Sequence, residues 1–218
     1  MNVFVTGGAG YIGSVCVEEL LNAGHTVTVF DNLAEGHRSA VDARARFVLG
    51  DLADRDLVAR TLAEAGAEAV IHFAAHALVG ESMQHPGKYF RNNVAHGLNL
   101  IEAAVTAKVR KFVFSSTCAT YGVPETMPMD ETLPQRPVNP YGESKLMFET
   151  MLRWYQQLHG LECVAFRYFN AAGASRKFGE HHRIETHLIP NVLKVALGQR
   201  EQCEIFGTDY PTPDGTCV

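Results

Sequence analysis

Tyr141 and Lys145 stand four residues apart in the stretch NPYGESK. On a helix that spacing sets both side chains on one face, and Pro140 suits a helix's first turn. A free tyrosine ionises near ~10, but an adjacent ammonium favours the phenolate and makes the side chain a usable base closer to neutrality. A surface Tyr-x-x-x-Lys pair would show the same spacing and carry no chemistry. Upstream, KFVFSSTCATYG reads as a strand ending in three hydroxyls, Ser115, Ser116 and Thr117. Open α/β sheets bind ligands at strand C-termini. A hydroxyl placed there can share a substrate proton with Tyr141.

A second constellation lies near the start. TGGAGYIG puts four glycines into the eight residues Thr6 to Gly13, between the apolar run NVFV and the amphipathic run SVCVEELLNAG. The spacings Gly8-x-Gly10-x-x-Gly13 and Gly7-x-x-Gly10-x-x-Gly13 both fit a phosphate-binding turn. The first glycines allow the tight turn, Gly10 admits a pyrophosphate to the backbone N–H groups, and Gly13 lets helix and strand pack closely. The helix N-terminus then faces the phosphate charge. Asp31 closes the second strand, eighteen residues past Gly13, where a carboxylate accepts from ribose hydroxyls. The same carboxylate repels a 2′-phosphate, which favours NAD over NADP; His37 and Arg38 nearby keep the phosphorylated cofactor open. In GDLAD, Asp51 reads either as an acceptor for the adenine amino group or as a turn aspartate. HFAA, His72 to Ala75, reads as small residues under a cofactor or as a plain strand end, with His72 a buried, hydrogen-bonded histidine.

The elements that must position these groups follow from hydrophobic periodicity. Strands are expected over 2–6, 26–30, 46–49, 69–74, 111–115 and 162–166, with helices near 11–23, 54–65, 88–107 and 141–159. Strand and helix in alternation imply an α/β fold with a doubly wound parallel sheet of Rossmann type. After Gly173 the pattern loosens, then gives a helix near 187–198 and a short strand, CEIFG. The expected organisation is a dinucleotide-binding domain over 1–173 and the start of a smaller, incomplete substrate-binding region over 174–218.

Composition narrows the class. At 218 residues and 46% hydrophobic the chain can bury one large core, and no apolar run is long enough to cross a bilayer. The glycine cluster begins by the sixth residue, so a secretory signal is not expected and a cytoplasmic location is. Five scattered cysteines without a C-x-x-C pair suggest reduced thiols rather than a disulfide framework or a zinc cluster. A net charge of −5 without a basic block argues against nucleic acid. HHRIETH gathers His181, His182, Glu185 and His187, but lacks the H-E-x-x-H spacing; it reads as a substrate-side loop, and no metal is expected.

TGGAGYIGS, HFAAHALVGES, FSSTCATYG, NPYGESK, RYFNAAGA and IFGTDYPTPDGTCV together resemble the UDP-glucose 4-epimerases, which are extended short-chain dehydrogenase/reductases, from residue 1 to residue 218. The last two motifs are the more specific to hexose epimerases. The resemblance implies NAD as cofactor, a UDP-hexose as substrate, and hydride removal and return at sugar C4 with Tyr141 as base. It matches Thr117 to the catalytic hydroxyl and Lys145 to the lysine that lowers the tyrosine pKa and holds ribose. Gly7, Gly10, Tyr11, Ile12 and Gly13 match the pyrophosphate turn, Asp31 and Asn32 the adenosine ribose site, and Asp51 and Leu52 the adenine pocket. Phe73, Ala74, Asn92 and Tyr168 match further cofactor contacts, and Asn170 and His187 substrate contacts. Where some relatives have a lysine and an asparagine, this chain has Ala77 and His187. Helices 88–107 and 141–159 carry apolar residues on more than one face, and the resemblance implies a homodimer through them.

Such relatives continue beyond the point reached by DGTCV, so the resemblance implies a C-terminally truncated epimerase that holds UDP-sugars weakly. An NAD-binding fragment without turnover is the alternative. A nucleotide-sugar 4,6-dehydratase is less well matched: that family places an Asp-Glu pair directly after the catalytic threonine, where this chain has Cys118 and Ala119.

Overall fold

The apolar runs become strands in a computed structural model that describes residues 1–210 and 212–216. The chain divides into two compact units, Met1–Gly179 and Glu180–Val218. In the first, the strands are β1 (Asn2–Thr6), β2 (Thr26–Asp31), β3 (Arg46–Leu49), β4 (Ala69–His72), β5 (Lys111–Thr117) and β6 (Glu162–Tyr168). They form one sheet in the order β3-β2-β1-β4-β5-β6, with every neighbouring pair parallel. The order reverses between β1 and β4, the crevice where such sheets bind ligands.

Because both faces are covered, the strands are nearly continuous in apolar residues and the period-2 pleat decides which core each side chain joins. Phe4, Phe30, Val70, Phe112 and Phe114 point into one core, beneath α2 (Arg55–Ala65), α5 (Gly97–Thr106) and α6 (Pro140–His159). Val3, Val5, Val27 and Val29 point into the other, with Val17 of α1 (Tyr11–Asn22). Burying an aromatic such as Phe148, which is fully enclosed, is worth roughly 3–5 kcal/mol against alanine.

Local signals set the helix ends. Asp54 caps α2 by accepting from Leu57 N at 2.9 Å, and Gly66 closes it in the left-handed region at φ +53. Asn139 caps α6 by accepting from Gly142 N at 2.8 Å, Pro140 opens it, and Gly160 ends it at φ +68. The helix expected over 88–107 is instead built from pieces. Short helices α3 (Val79–Gln84) and α4 (Pro86–Tyr89) precede a π-helical stretch, Phe90–His96, that runs into α5. Pro86 can only begin a helix, not continue one, which separates α3 from α4.

The second unit contains α7 (Leu188–Ala196), whose apolar residues Leu188, Ile189, Val192 and Leu193 are exposed. The strand expected at CEIFG does not form: residues 203–207 are irregular, and Ile205 and Phe206 are exposed. A β-branched, aromatic run has strand propensity, but without a neighbouring strand its backbone groups have no ladder to join. No helix among the described residues is long and apolar enough to cross a membrane.

Candidate active site

The turn after β1 is shaped by backbone contacts. Gly7 adopts φ +72, and a Cβ there would lie 2.5 Å from Ala74 N at the end of β4. A Cβ at Gly13 would lie 2.2 Å from Gly7 O. Side chains are therefore sterically excluded at both positions, and the start of α1 is drawn tight against the turn. Gly10 is the N-cap of α1 and offers no capping side chain, so the first-turn N–H groups, which no helix can satisfy internally, face outward as an anion cradle.

An open cleft begins there. Gly7, Gly10, Asp31, Asn32, Asp51, Leu52, Phe73, Ala74 and Asn92 all line it. Asp31 is buried at the end of β2, where its Oδ2 accepts from Ala9 N at 2.9 Å and its Oδ1 from Leu33 N at 2.8 Å. One carboxylate thus orders the glycine turn and the next loop while keeping lone pairs for a hydroxyl donor. Asp51 is both a turn aspartate and a wall of the cleft: its Oδ1 accepts from Ala53 N at 2.8 Å, and Asn32 Nδ2 donates to its Oδ2 at 2.7 Å. Burial pushes its carboxyl up, but those hydrogen bonds more than offset this and hold it below the ordinary range. The HFAA segment is more than a strand end, since Phe73 and Ala74 form the cleft floor. His72, by contrast, is 2% exposed, lies 2.7 Å from Thr6 Oγ1 and packs on Phe114 and Phe148. Tyr11 opens α1 and donates from its hydroxyl to Gly173 O at 2.6 Å; Ile12 beside it is half-buried.

At the other end of the sheet, α6 brings Tyr141 and Lys145 to the C-terminal ends of β5 and β6. The Thr117 hydroxyl lies close enough to the Tyr141 phenol to favour its ionised form, and its Oγ1 accepts from Ala119 N at 3.2 Å. Lys145 is 3% exposed, donates to Ser115 O at 2.8 Å, and sits 5.9 Å from the centre of the Tyr141 ring. Of the hydroxyls on β5, Thr117 bears on the tyrosine's ionisation, whereas Ser116 donates to Glu149 at 2.5 Å. Tyr168 pairs in register with Thr117 across β5 and β6, and Asn170 follows, exposed. The electrostatics differ from the sequence expectation. Burial pushes the Tyr141 phenol up, the Thr117 hydrogen bond pulling it down only in part, and burial pushes Lys145 down to about 7. The ammonium therefore cannot be the main source of phenolate character in the unliganded protein.

Several residues of this centre carried no recognisable signal in the chain. Tyr89, fully buried, backs the Tyr141 ring at 6.4 Å and shares its one hydroxyl proton between Leu78 O and Glu81 Oε2. Asn93, next to Asn92 in the π-helical stretch, accepts from His76 N at 2.9 Å and donates to Ser144 Oγ at 3.0 Å, tying the β4 loop to α6. Glu35, Gly36 and His76 also line the cleft. Two adjacent asparagines in a helical stretch could have raised the question; the others read as ordinary loop and helix residues.

In the second unit, His187 is the N-cap of α7 and its Nδ1 pairs with Glu180 Oε1. His182 Nδ1 lies 3.4 Å from both Glu180 Oε1 and Glu185 Oε2. The imidazoles of His182 and His187 thus face carboxylates, and Glu180, His182, Glu185 and His187 bring their ligand atoms within 4.8 Å of one another, a grouping that could hold a metal ion.

A family model described as the NAD dependent epimerase/dehydratase family matches residues 3–217. The chain belongs to this family. It is 52% identical to the UDP-glucose 4-epimerase of Streptococcus mutans over all of its own length and 67% of that protein. It is similar in structure to UDP-glucose 4-epimerase from Brucella ovis in complex with NAD, at TM-score 0.95 and 48% identity, covering 99% of this chain and 67% of that one. The Bifidobacterium longum UDP-glucose 4-epimerase in complex with NAD+ and UDP gives TM-score 0.94 and 37% identity, with 99% and 68% covered. The chain spans about two thirds of the length of these epimerase/dehydratase relatives.

Proposed function

We propose that this chain carries the cofactor-binding and proton-transfer parts of a UDP-glucose 4-epimerase, interconverting UDP-glucose and UDP-galactose. The observation that carries the reading is the placing of Thr117, Tyr141 and Lys145 together at the ends of β5 and α6, in a unit whose glycine turn and acidic strand end suit a dinucleotide. The fit to NAD rests on that donor set: the side-chain-free cradle at Gly7, Gly10 and Gly13, with Tyr11 and Ile12 opening α1, for the pyrophosphate, and Asp31 with Asn32 for ribose hydroxyls. Asp51 and Leu52 suit adenine, and Asn92 and Tyr168 are further contacts. Bound there, the nicotinamide supplies a reversible hydride acceptor and a positive charge. Tyr141 takes the proton of the sugar 4-hydroxyl and returns it. Thr117, whose oxygen already accepts from Ala119 N, has its own hydrogen to donate to the Tyr141 oxygen as the proton moves. Lys145 holds a ribose and, where charged, favours the phenolate. Asn170 and His187 are the substrate contacts of this reading.

Titration with NAD followed by a coupled assay on UDP-galactose tests it. NAD binding with turnover is expected, and NAD binding without turnover would favour the alternative of a cofactor-binding part alone. We also propose a homodimer. Met147, Met151, Trp154 and Leu158 recur at helical spacing on α6, and Met147 and Met151 line an apolar groove with Phe90, Val94, Ala95 and Leu98. A concentration-independent monomer in light scattering would contradict it. A cytoplasmic location is proposed on the free thiols of Cys16, Cys118, Cys163 and Cys203.

A further inference from the structure

Glu149 lies on α6 four residues beyond Lys145 and eight beyond Tyr141, which puts the three on one helix face. None of the roles above uses it. Its side chain is 8% exposed, and both carboxylate oxygens are met twice. Ser116 Oγ donates to Oε1 at 2.5 Å and Arg167 Nε at 3.2 Å; Arg167 Nη2 donates to Oε2 at 2.9 Å and Gln135 Nε2 at 3.0 Å. Arg167 in turn donates from Nη1 to the Tyr121 hydroxyl at 2.7 Å and lies over that ring at 5.0 Å. Burial raises the Glu149 carboxyl, yet Arg167, Ser116 and Gln135 outweigh it and hold the group below its ordinary range.

The location matters more than the count of bonds. Ser116 and Arg167 face each other in the β5–β6 ladder, and the next rung is Thr117 with Tyr168. The carboxylate therefore grips both strands one residue before the catalytic hydroxyl, from the helix that carries the tyrosine. Apolar packing could hold α6 down equally well, but it is tolerant of sliding; a bidentate guanidinium–carboxylate pair is directional and is not.

We propose that Glu149 and Arg167 are positioning residues of the proton-transfer centre: their pair clamps α6 to the last rungs of β5 and β6 and so sets the distance from Tyr141 to Thr117. The inference deepens the epimerase reading and rests on it for what the centre does. Its test does not need turnover. The ionisation of Tyr141 is followed in the unliganded chain by ultraviolet absorbance, as the difference between each protein and the same protein carrying Tyr141→Phe. The titratable groups against this phenol are Lys145, Cys118 and Tyr89, and the substitutions leave all three in place.

Glu149→Gln keeps the side chain's size and leaves the Arg167 cation uncompensated, which by charge alone would lower the phenol's midpoint. Acting through position, it draws the Thr117 hydroxyl away from the phenol whose ionised form that hydroxyl favours, and the midpoint rises by about half a pH unit. A rise supports the proposal; an unchanged or lowered midpoint overturns it. Ser116→Ala removes one of the four bonds and should give a smaller rise in the same direction. It carries the test if circular dichroism shows Glu149→Gln unfolded. A chain that binds NAD but turns over no UDP-sugar would count against the epimerase reading alone, because the phenol titration stays readable.

Discussion

At the glycine end of the sheet backbone meets backbone: a methyl at Gly13 would sit 2.2 Å from Gly7 O, and one at Gly7 2.5 Å from Ala74 N. At the tyrosine end side chains make the contacts: Thr117 bears on Tyr141, Lys145 reaches the backbone oxygen of Ser115, and Glu149 sits among Ser116, Gln135 and Arg167. The first end is specified by what must be absent and the second by what must be present. An added atom should therefore harm shape and stability together at the glycine end. A removed atom at the tyrosine end should harm chemistry and spare the fold.

The largest effect expected is on turnover. Tyr141→Phe deletes the proton acceptor and touches nothing in the glycine turn, so turnover should fall on the order of 100-fold or more. NAD affinity, measured by titration, should change less than about threefold. Near-parental turnover would remove Tyr141 from its role and collapse the distinction between the ends.

Gly13→Ala is the counterpart. Overpacking against backbone that cannot swing aside should cost about 3 kcal/mol of stability, read in urea unfolding, and weaken NAD in step because the cradle itself is displaced. A variant that loses NAD while unfolding like the parent would show that the turn is not the constraint described here.

Asp31→Ala sharpens the comparison, since this side chain belongs to the backbone-built end. Removing a charged acceptor should weaken NAD about tenfold and narrow the preference over NADP. Part of that loss is structural, through the freed Ala9 and Leu33 N–H groups, and Asp31→Asn, which keeps an acceptor, should recover some of it. Tighter binding of NADP than NAD by the parent would contradict the assignment.

The glycine end was the more legible in the chain. Strand, turn, helix and terminal acid follow one another within thirty-one residues, and local spacing reports local geometry. Strand ends were less legible: β5 runs to Thr117 and β6 to Tyr168, two residues past where apolar alternation stops, because ladder hydrogen bonds do not need apolar side chains. The Glu149–Arg167 clamp left no pattern at all. Charged residues eighteen apart read as solvated surface, and only the ladder register of Ser116 with Arg167 turns them into a buried pair. CEIFG failed for the converse reason, propensity without a partner strand.

Between the two ends stands His72, on β4, bonded to Thr6 of the glycine strand and packed on Phe114 and Phe148 of the tyrosine side. Burial foremost, with the Lys145 charge second, pushes it down to about 3. An unfolded histidine titrates near ~6.5, so as pH falls through that value the unfolded chain binds the proton first, and stability falls until about pH 3. Between pH 7 and 5.5 this one group should cost about 1 kcal/mol. The paired carboxylates Asp42 and Glu149, both held low, lose their contribution only below about pH 4. His76, also pushed down by burial, adds to the same window. His72→Phe therefore isolates the effect: urea midpoints at the two pH values should differ less in the variant than in the parent, by about that 1 kcal/mol. Equal pH sensitivity in both proteins would mean that the imidazole is not buried neutral between the two ends, and that the sheet beneath the cleft is held by its aromatic packing alone.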